Sequence, residues 1–174
     1  MQNSIHQLNA SHDSLQDRIR FCFSTRDGNE FRFWFTRRYL VLLLKTLGDI
    51  ATQYANARAE GDIASRQALS EFAHQQALEQ SDLQSPFEGG NRFPLGEDPL
   101  LVSKIVVKQH GGGNISIGLM PENGIGADLG LNEALVHLIA DLLTRIAIQA
   151  DWKLALVPLV PPLMGETSGS ARLH

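Results

Sequence analysis

The chain has little with which to do covalent or redox chemistry. It holds one cysteine, Cys22. That excludes an internal disulfide framework and a multi-thiolate metal site, and it fits a reducing compartment. The longest apolar run, YLVLLL at residues 39–44, is far short of the roughly 20 residues that cross a bilayer, so no membrane association is expected. The opening MQNSIHQLNASHDSLQDR has neither a positive start nor an apolar core, so a secretory signal is not expected and a cytoplasmic location is. A strong charge excess is also missing. The formal charge of −4 gives no global reason to bind nucleic acid or an acidic surface. The histidines lack metal-ligand spacing, and the glycine-rich HGGGN at 110–114 is not followed by the Gly-Lys-Ser/Thr of a phosphate loop. No catalytic residue, metal or cofactor is therefore expected.

What is present is alternation. Ile19, Phe21 and Phe23 alternate with Arg18, Arg20, Cys22 and Ser24, and Phe31, Phe33 and Phe35 alternate with Glu30, Arg32 and Trp34. Period two marks half-buried strands, and Arg26-Asp27-Gly28-Asn29 between them is a turn signal. Both apolar sets are odd-numbered, so paired residues on one face must sum to an even number. A three-residue loop, Arg26 to Gly28 with glycine left-handed, meets that condition. It pairs Phe23 with Phe31, Phe21 with Phe33 and Ile19 with Phe35, and on the outer face Arg20 with Trp34 and Cys22 with Arg32. Thr36 then caps a helix carrying Leu40, Leu43, Leu44, Leu47 and Ala51 at helical spacing and running to about Ala59.

A second, mostly polar helix is expected at 62–80. Residues 81–99, rich in Pro and Gly, read as a loop or linker. Strands follow at 101–109, 115–119 and 125–131. Asn132 caps a helix with Leu135, Leu138, Ile139, Leu142, Leu143 and Ile146 on one stripe. A last strand is expected at 153–157 and a mobile tail at 158–174. The segments are thus 1–16, with an edge strand expected within it; 17–80, the first hairpin with its helices; 81–99; 100–157, the second unit; and 158–174, all in one globular domain.

Sliding the chain by 96 residues brings Asp27-Gly28 onto Asn123-Gly124 and Thr36 onto Asn132. Ile19, Phe21 and Phe23 fall on Ile115, Ile117 and Leu119, without a gap. The expected fold is α+β: duplicated strand–turn–strand–helix units whose antiparallel sheet of about five to seven strands carries helices on one face. The five phenylalanines of the first hairpin need deep cover. Either a tightly docked second half or a second copy supplies it, and a homodimer is the favoured expectation.

The chemically unusual surface is basic. Between Arg18 and Lys45 lie seven basic and two acidic residues, a local net of +5. Arg18, Arg20, Arg32 and Trp34 share the outer face of the first hairpin, and Arg37 and Arg38 open the following helix. Arg20 beside Trp34 suits a cation–π contact. These six residues are the candidate ligand- or partner-binding set. The competing reading is a solvated face whose arginines pair with carboxylates. In the second unit the positions matching Arg18, Arg20, Cys22, Arg32 and Trp34 are Asn114, Ser116, Gly118, Asp128 and Gly130, so this chemistry belongs to one unit. Cys22 should point outward among cations that lower a thiol pKa, although an inert thiol is the expected outcome. His137, Asp141 and Arg145, spaced by four, read as an exposed salt-bridged stripe.

The block FRFWFTRR at 31–38, with DRIRF at 17–21 and the later helix, resembles a family of short uncharacterised proteobacterial proteins in which Trp-x-Thr-Arg-Arg follows a turn. No activity is known for that family, so the resemblance implies no residue roles. By architecture alone the repeated unit resembles Whirly and PUR-type single-strand binders, a likeness of fold only. The leading expectation is a non-enzymatic binding or adaptor protein, homo-oligomeric, using the Arg/Trp face on an acidic protein partner. Single-stranded nucleic-acid binding is the second reading and an enzyme the third.

Overall fold

The computed structural model describes residues 5–58 and 86–154. The helix expected at 62–80, the tail expected at 158–174, and residues 155–157 of the expected last strand lie outside the described residues; Lys153 and Leu154 are not in a strand. The elements run β1 (Ile5–Asp13), β2 (Arg18–Thr25), β3 (Glu30–Phe35), α1 (Arg37–Arg58), β4 (Leu100–Leu101), β5 (Lys104–Gln109), β6 (Ile115–Met120), β7 (Ala127–Leu131) and α2 (Glu133–Gln149). This is an α+β fold. Among the described residues no helix is long and apolar enough to cross a membrane.

The β2–β3 hairpin has the register that parity requires. Phe23 faces Phe31, Phe21 faces Phe33, Ile19 faces Phe35, Arg20 faces Trp34 and Cys22 faces Arg32. Gly28 closes the three-residue loop at φ 82°, a conformation that costs a side-chain-bearing residue energy. Its amide donates to Thr25 O at 2.9 Å, and Thr25 N donates to Asn29 O at 2.9 Å. β1 adds an antiparallel edge strand, pairing Leu8 with Phe23 and Ala10 with Phe21.

The second unit repeats this arrangement. Ile115 faces Leu131, Ile117 faces Leu129 and Leu119 faces Ala127, the first-hairpin pairs displaced by 96 residues (115 − 19 and 131 − 35). β5 pairs with β6 as β1 does with β2, one residue further along (Ile105 opposite Leu119 against Leu8 opposite Phe23, 105 − 8 = 97). Both helices start at the same offset, Arg37 and Glu133. Thr36 Oγ1 and Asn132 Oδ1 each accept an amide of the first turn, from Tyr39 and Leu135. Equal order and register are geometry and do not by themselves make the units copies of one ancestor.

The seven strands do not form one sheet. They divide into β1-β2-β3-β4 and β5-β6-β7, and β4 runs parallel to β3. The segment read from sequence as one strand, 101–109, switches sheets. Val102 N donates to Trp34 O at 3.0 Å in the first sheet, and the next residue, Ser103, donates to Met120 O at 2.9 Å in the second. Such a switch lets one strand serve two sheets at a corner. The Tyr39 hydroxyl, from the first turn of α1, donates to Ser103 O at that corner.

The phenylalanine face is covered within the chain. Phe21, Phe33 and Phe35 are fully buried, and one apolar cluster joins them to residues of both helices and both sheets, including Leu47, Leu119, Leu129 and Leu143. The helices pack on each other, and α2 also packs on β1 of the first sheet. Burying each such side chain contributes about 1.5–3 kcal/mol. The docked second unit therefore does what a second copy was invoked to do, and the phenylalanine set gives no separate reason for a dimer.

The stripe on α2 is rotated from its expected position. Val136, Ile139, Ala140, Leu143 and Ala147 are buried, and so are Glu133 and His137. His137 is 0% exposed, which corrects the reading of an exposed stripe. The helix is packed on two sides, against α1 and β1, so its buried arc is wider than one apolar stripe. Farther along that line Arg145 Nε meets Asp141 Oδ2 at 2.8 Å.

Candidate functional site

The outer face of the first sheet is ordered in cross-strand rows. One row is Ser11, Arg20, Trp34 and Leu101; the next is Asn9, Cys22 and Arg32; the third is Gln7, Ser24 and Glu30. Alternation puts these side chains opposite the phenylalanines.

The second and third rows are closed by a strap, residues 86–98, that the sequence marked only as a linker. At the hairpin turn, Asn91 N and Arg92 N both donate to Gly28 O, at 3.0 and 3.1 Å, and Glu30 N donates to Arg92 O at 2.8 Å. Gln7 holds the strap's start, its Oε1 accepting from Glu88 N at 3.0 Å. The Glu30 carboxylate is buried. Its Oε2 accepts from Gly90 N at 2.8 Å and its Oε1 from Arg32 Nε at 2.6 Å. Arg32 reaches further, donating from a terminal nitrogen to Glu97 O at 2.8 Å and stacking 4.5 Å from the centre of the Phe93 ring. The Glu30 hydrogen bond raises the guanidinium pKa further above its already high value. The cation–π contact expected at Arg20–Trp34 is thus made by Arg32 and Phe93. Arg32 is neutralised by Glu30 of its own strand and half-buried because the strap returns beside it from 65 residues away in sequence.

The first row stays open. Arg20 is exposed, Trp34 is half-buried and Leu101 is 40% exposed. Arg20 has no ion pair among the described residues. The remaining basic residues are dispersed. Arg18 is half-buried and donates to Gln16 Oε1 at 3.4 Å. Arg37 donates to Lys153 O at 2.7 Å, where the chain after α2 meets the β1–β2 turn. Arg38 is exposed on the first turn of α1. The structure therefore joins Arg20 to Trp34, gives Arg32 to the strap and ties Arg37 to the second unit.

Cys22 lies on the same face but is only 2% exposed. Burial pushes its thiol pKa up, outweighing the nearby Arg20 and Arg32, so the activating effect expected of those cations does not win. Labelling by a thiol reagent in native buffer should be slower than in the urea-unfolded chain by about 10²-fold or more. Comparable rates in the two states would contradict the buried position.

In the second unit the equivalent rows close, among the described residues, through side-chain pairs. Lys108 Nζ meets Asp128 Oδ2 at 2.7 Å, and His110 Nε2 lies 2.8 Å from Ser116 Oγ. Gly118 is buried beside Asp128, and a Cβ there would come within 2.8 Å of Asp128 Oδ1. Among the described residues no cluster of His, Cys, Asp and Glu has metal-binding geometry.

Sequence reasoning missed Glu30 as the anchor of the strap, and Phe93 and Glu97 as the groups that take up Arg32. One signal was available. Glu30 is an acidic residue on a strand face otherwise basic, two residues from Arg32, which is the spacing of same-face neighbours. No family model, curated protein or solved structure matches the chain.

Proposed function

We propose that the chain is a soluble, cytoplasmic, non-enzymatic binding or adaptor protein whose contact surface is the open row of the first sheet, with Arg20 and Trp34 at its centre and Arg18 and Arg38 extending its positive field. The observation that carries this is the contrast between neighbours. Arg32 is neutralised by a carboxylate, a carbonyl and a ring, while Arg20 stands exposed beside an aromatic. An arginine held for packing is covered or paired, and one held for a ligand must stay available. Trp34 and Leu101 add apolar area to the cation, the combination found at the centres of protein contacts. The partner is anionic, and an acidic protein segment, with less charge along its length than nucleic acid, is opposed less by the chain's net charge of −4.

A second reading, single-stranded nucleic acid, is favoured by the half-buried Trp34 beside Arg20, because an aromatic on a sheet with a flanking cation is a base-stacking platform. Titration of labelled poly-glutamate and a mixed-sequence single-stranded oligonucleotide against the chain at low salt separates the two. Preference for the peptide, weakened about tenfold in Trp34→Ala, is the expected outcome. Preference for the oligonucleotide, with affinity falling steeply in salt, selects the second reading. No binding of either probe removes both.

A further inference from the structure

We infer that the strap, residues 86–98, is an internal competitor: its distal half occupies the Arg32 end of the contact face and is displaced when an acidic peptide engages the open row. This rests on the binding reading above and adds its regulation.

Three observations carry it. The first is chemical mimicry. From the strap Arg32 receives part of what an aromatic peptide would offer, the Glu97 carbonyl at 2.8 Å and the Phe93 ring at 4.5 Å, while its carboxylate partner, Glu30 at 2.6 Å, belongs to its own strand. The strap also carries Glu97 and Asp98, exposed, beside the basic face.

The second is unequal attachment. Residues 89–92 are fixed. A Cβ on Gly90 would lie 2.6 Å from Gly28 O and 2.9 Å from Glu30 N, so the strap's backbone is in van der Waals contact with the turn. Residues 94–98 are different. Pro94, Gly96, Glu97 and Asp98 are exposed, and half-buried Leu95 is the residue of this stretch that packs against the core. Gly96, at φ 94°, has nothing within 4 Å of where a Cβ would stand. A segment with few buried contacts opens at low free energy while its anchor stays closed.

The third is adjacency. The strap leads directly into β4, whose Leu101 completes the row of Arg20 and Trp34. A peptide lying along that row meets the strap at its end. Displacing residues 93–98 removes the carbonyl and the ring from Arg32 but leaves its Glu30 pair in place, so Arg32 is not left buried and unpaired, the costly outcome.

The test uses the full chain, its single cysteine and a fluorescein-labelled poly-glutamate peptide. Phe93→Ala removes the ring over Arg32 but leaves the anchor. It should speed native-state labelling of Cys22, the row neighbour of Arg32, by about tenfold, and bind the peptide about five- to tenfold more tightly than wild type because the competing contact is weaker. Adding Arg32→Ala should cancel that gain. Gly90→Ala lifts the anchor as well and gives an independent route to the open state, with circular dichroism confirming that both variants are folded. Opened variants that bind the peptide no better than wild type overturn the inference while leaving the Arg20–Trp34 reading intact. Unchanged Cys22 labelling in both variants also overturns it, because the strap is then not displaceable. Failure of wild type and every variant to bind, or binding of a single-stranded oligonucleotide alone, removes the acidic-peptide reading on which it rests.

Discussion

Phe21→Ala is expected to destabilise the whole chain, not one half of it, by about 3–5 kcal/mol. The side chain is fully buried. Its ring sits 6.2 Å from Phe35 in an edge-on arrangement and 6.2 Å from Phe23. It also faces Leu43 and Leu47 of α1, Ile117 and Leu119 of β6 and Ile139 of α2 across a small apolar gap. Truncation therefore leaves a hole where both sheets and both helices meet, and the neighbours cannot collapse into it without moving an element. Because a domain's total stability is only about 5–15 kcal/mol, this one change should lower the urea midpoint severely. The transition should stay single, by circular dichroism and by tryptophan fluorescence. A shift below about 1 kcal/mol, or two separated transitions, would show that the units do not share one core.

Trp152→Ala should cost nearly as much, about 3 kcal/mol, because it unties the second unit from the first. Trp152 is 6% exposed. Its indole Nε1 donates to Asp17 Oδ1 at 2.6 Å, and the His12 ring meets it edge-on at 6.0 Å. Asp17 sits in the β1–β2 turn at φ 49°, a left-handed conformation that aspartate tolerates better than most residues. The tie has a pH signature. The Trp152 hydrogen bond first, and the His12 contact second, hold the Asp17 pKa below its ordinary 3.8. A carboxylate with a depressed folded pKa contributes stability that is fully present above the unfolded value and lost as pH falls through the folded one. In a Trp34→Ala background, which leaves Trp152 as the sole tryptophan, emission should hold constant from neutral pH down to about 4 and change below it. A midpoint well above the ordinary carboxylate range would contradict the assignment to Asp17.

The register of the first hairpin was legible because two local signals agreed: odd-numbered phenylalanines on both strands, and a glycine where a three-residue loop needs left-handed backbone. The caps Thr36 and Asn132 were legible for the same reason, since a capping side chain acts within one turn of its own backbone. What could not be read was set by distant chain. Nothing in LVSKIVVKQ shows that Val102 bonds to Trp34 and Ser103 to Met120, because alternation fixes which side chains share a face and not which strand lies alongside. His137 was misplaced because α2 is covered by both α1 and β1, elements distant in sequence. In the candidate site, the basic face was legible as composition. Its division was legible only in part. Arg20 and Arg32 are equivalent in the alternation, and what separates the covered arginine from the open one is Glu30 on the same strand, a local signal, together with the return of residues 86–98, which is not local.

That separation makes Arg20 the residue on which the account turns. The most direct measurement compares the affinity of labelled poly-glutamate for wild type, Arg20→Ala and Lys108→Ala at low and moderate salt, with thermal melts showing all three folded. Lys108 is the control, a basic residue on the outer face of the second sheet already paired with Asp128. Loss of a charge-assisted contact in Arg20→Ala should weaken binding about ten- to a hundredfold and flatten its salt dependence, while Lys108→Ala binds as wild type does. Equal affinity for wild type and Arg20→Ala, or equal losses in the two variants, would contradict the assignment of this row as the contact surface.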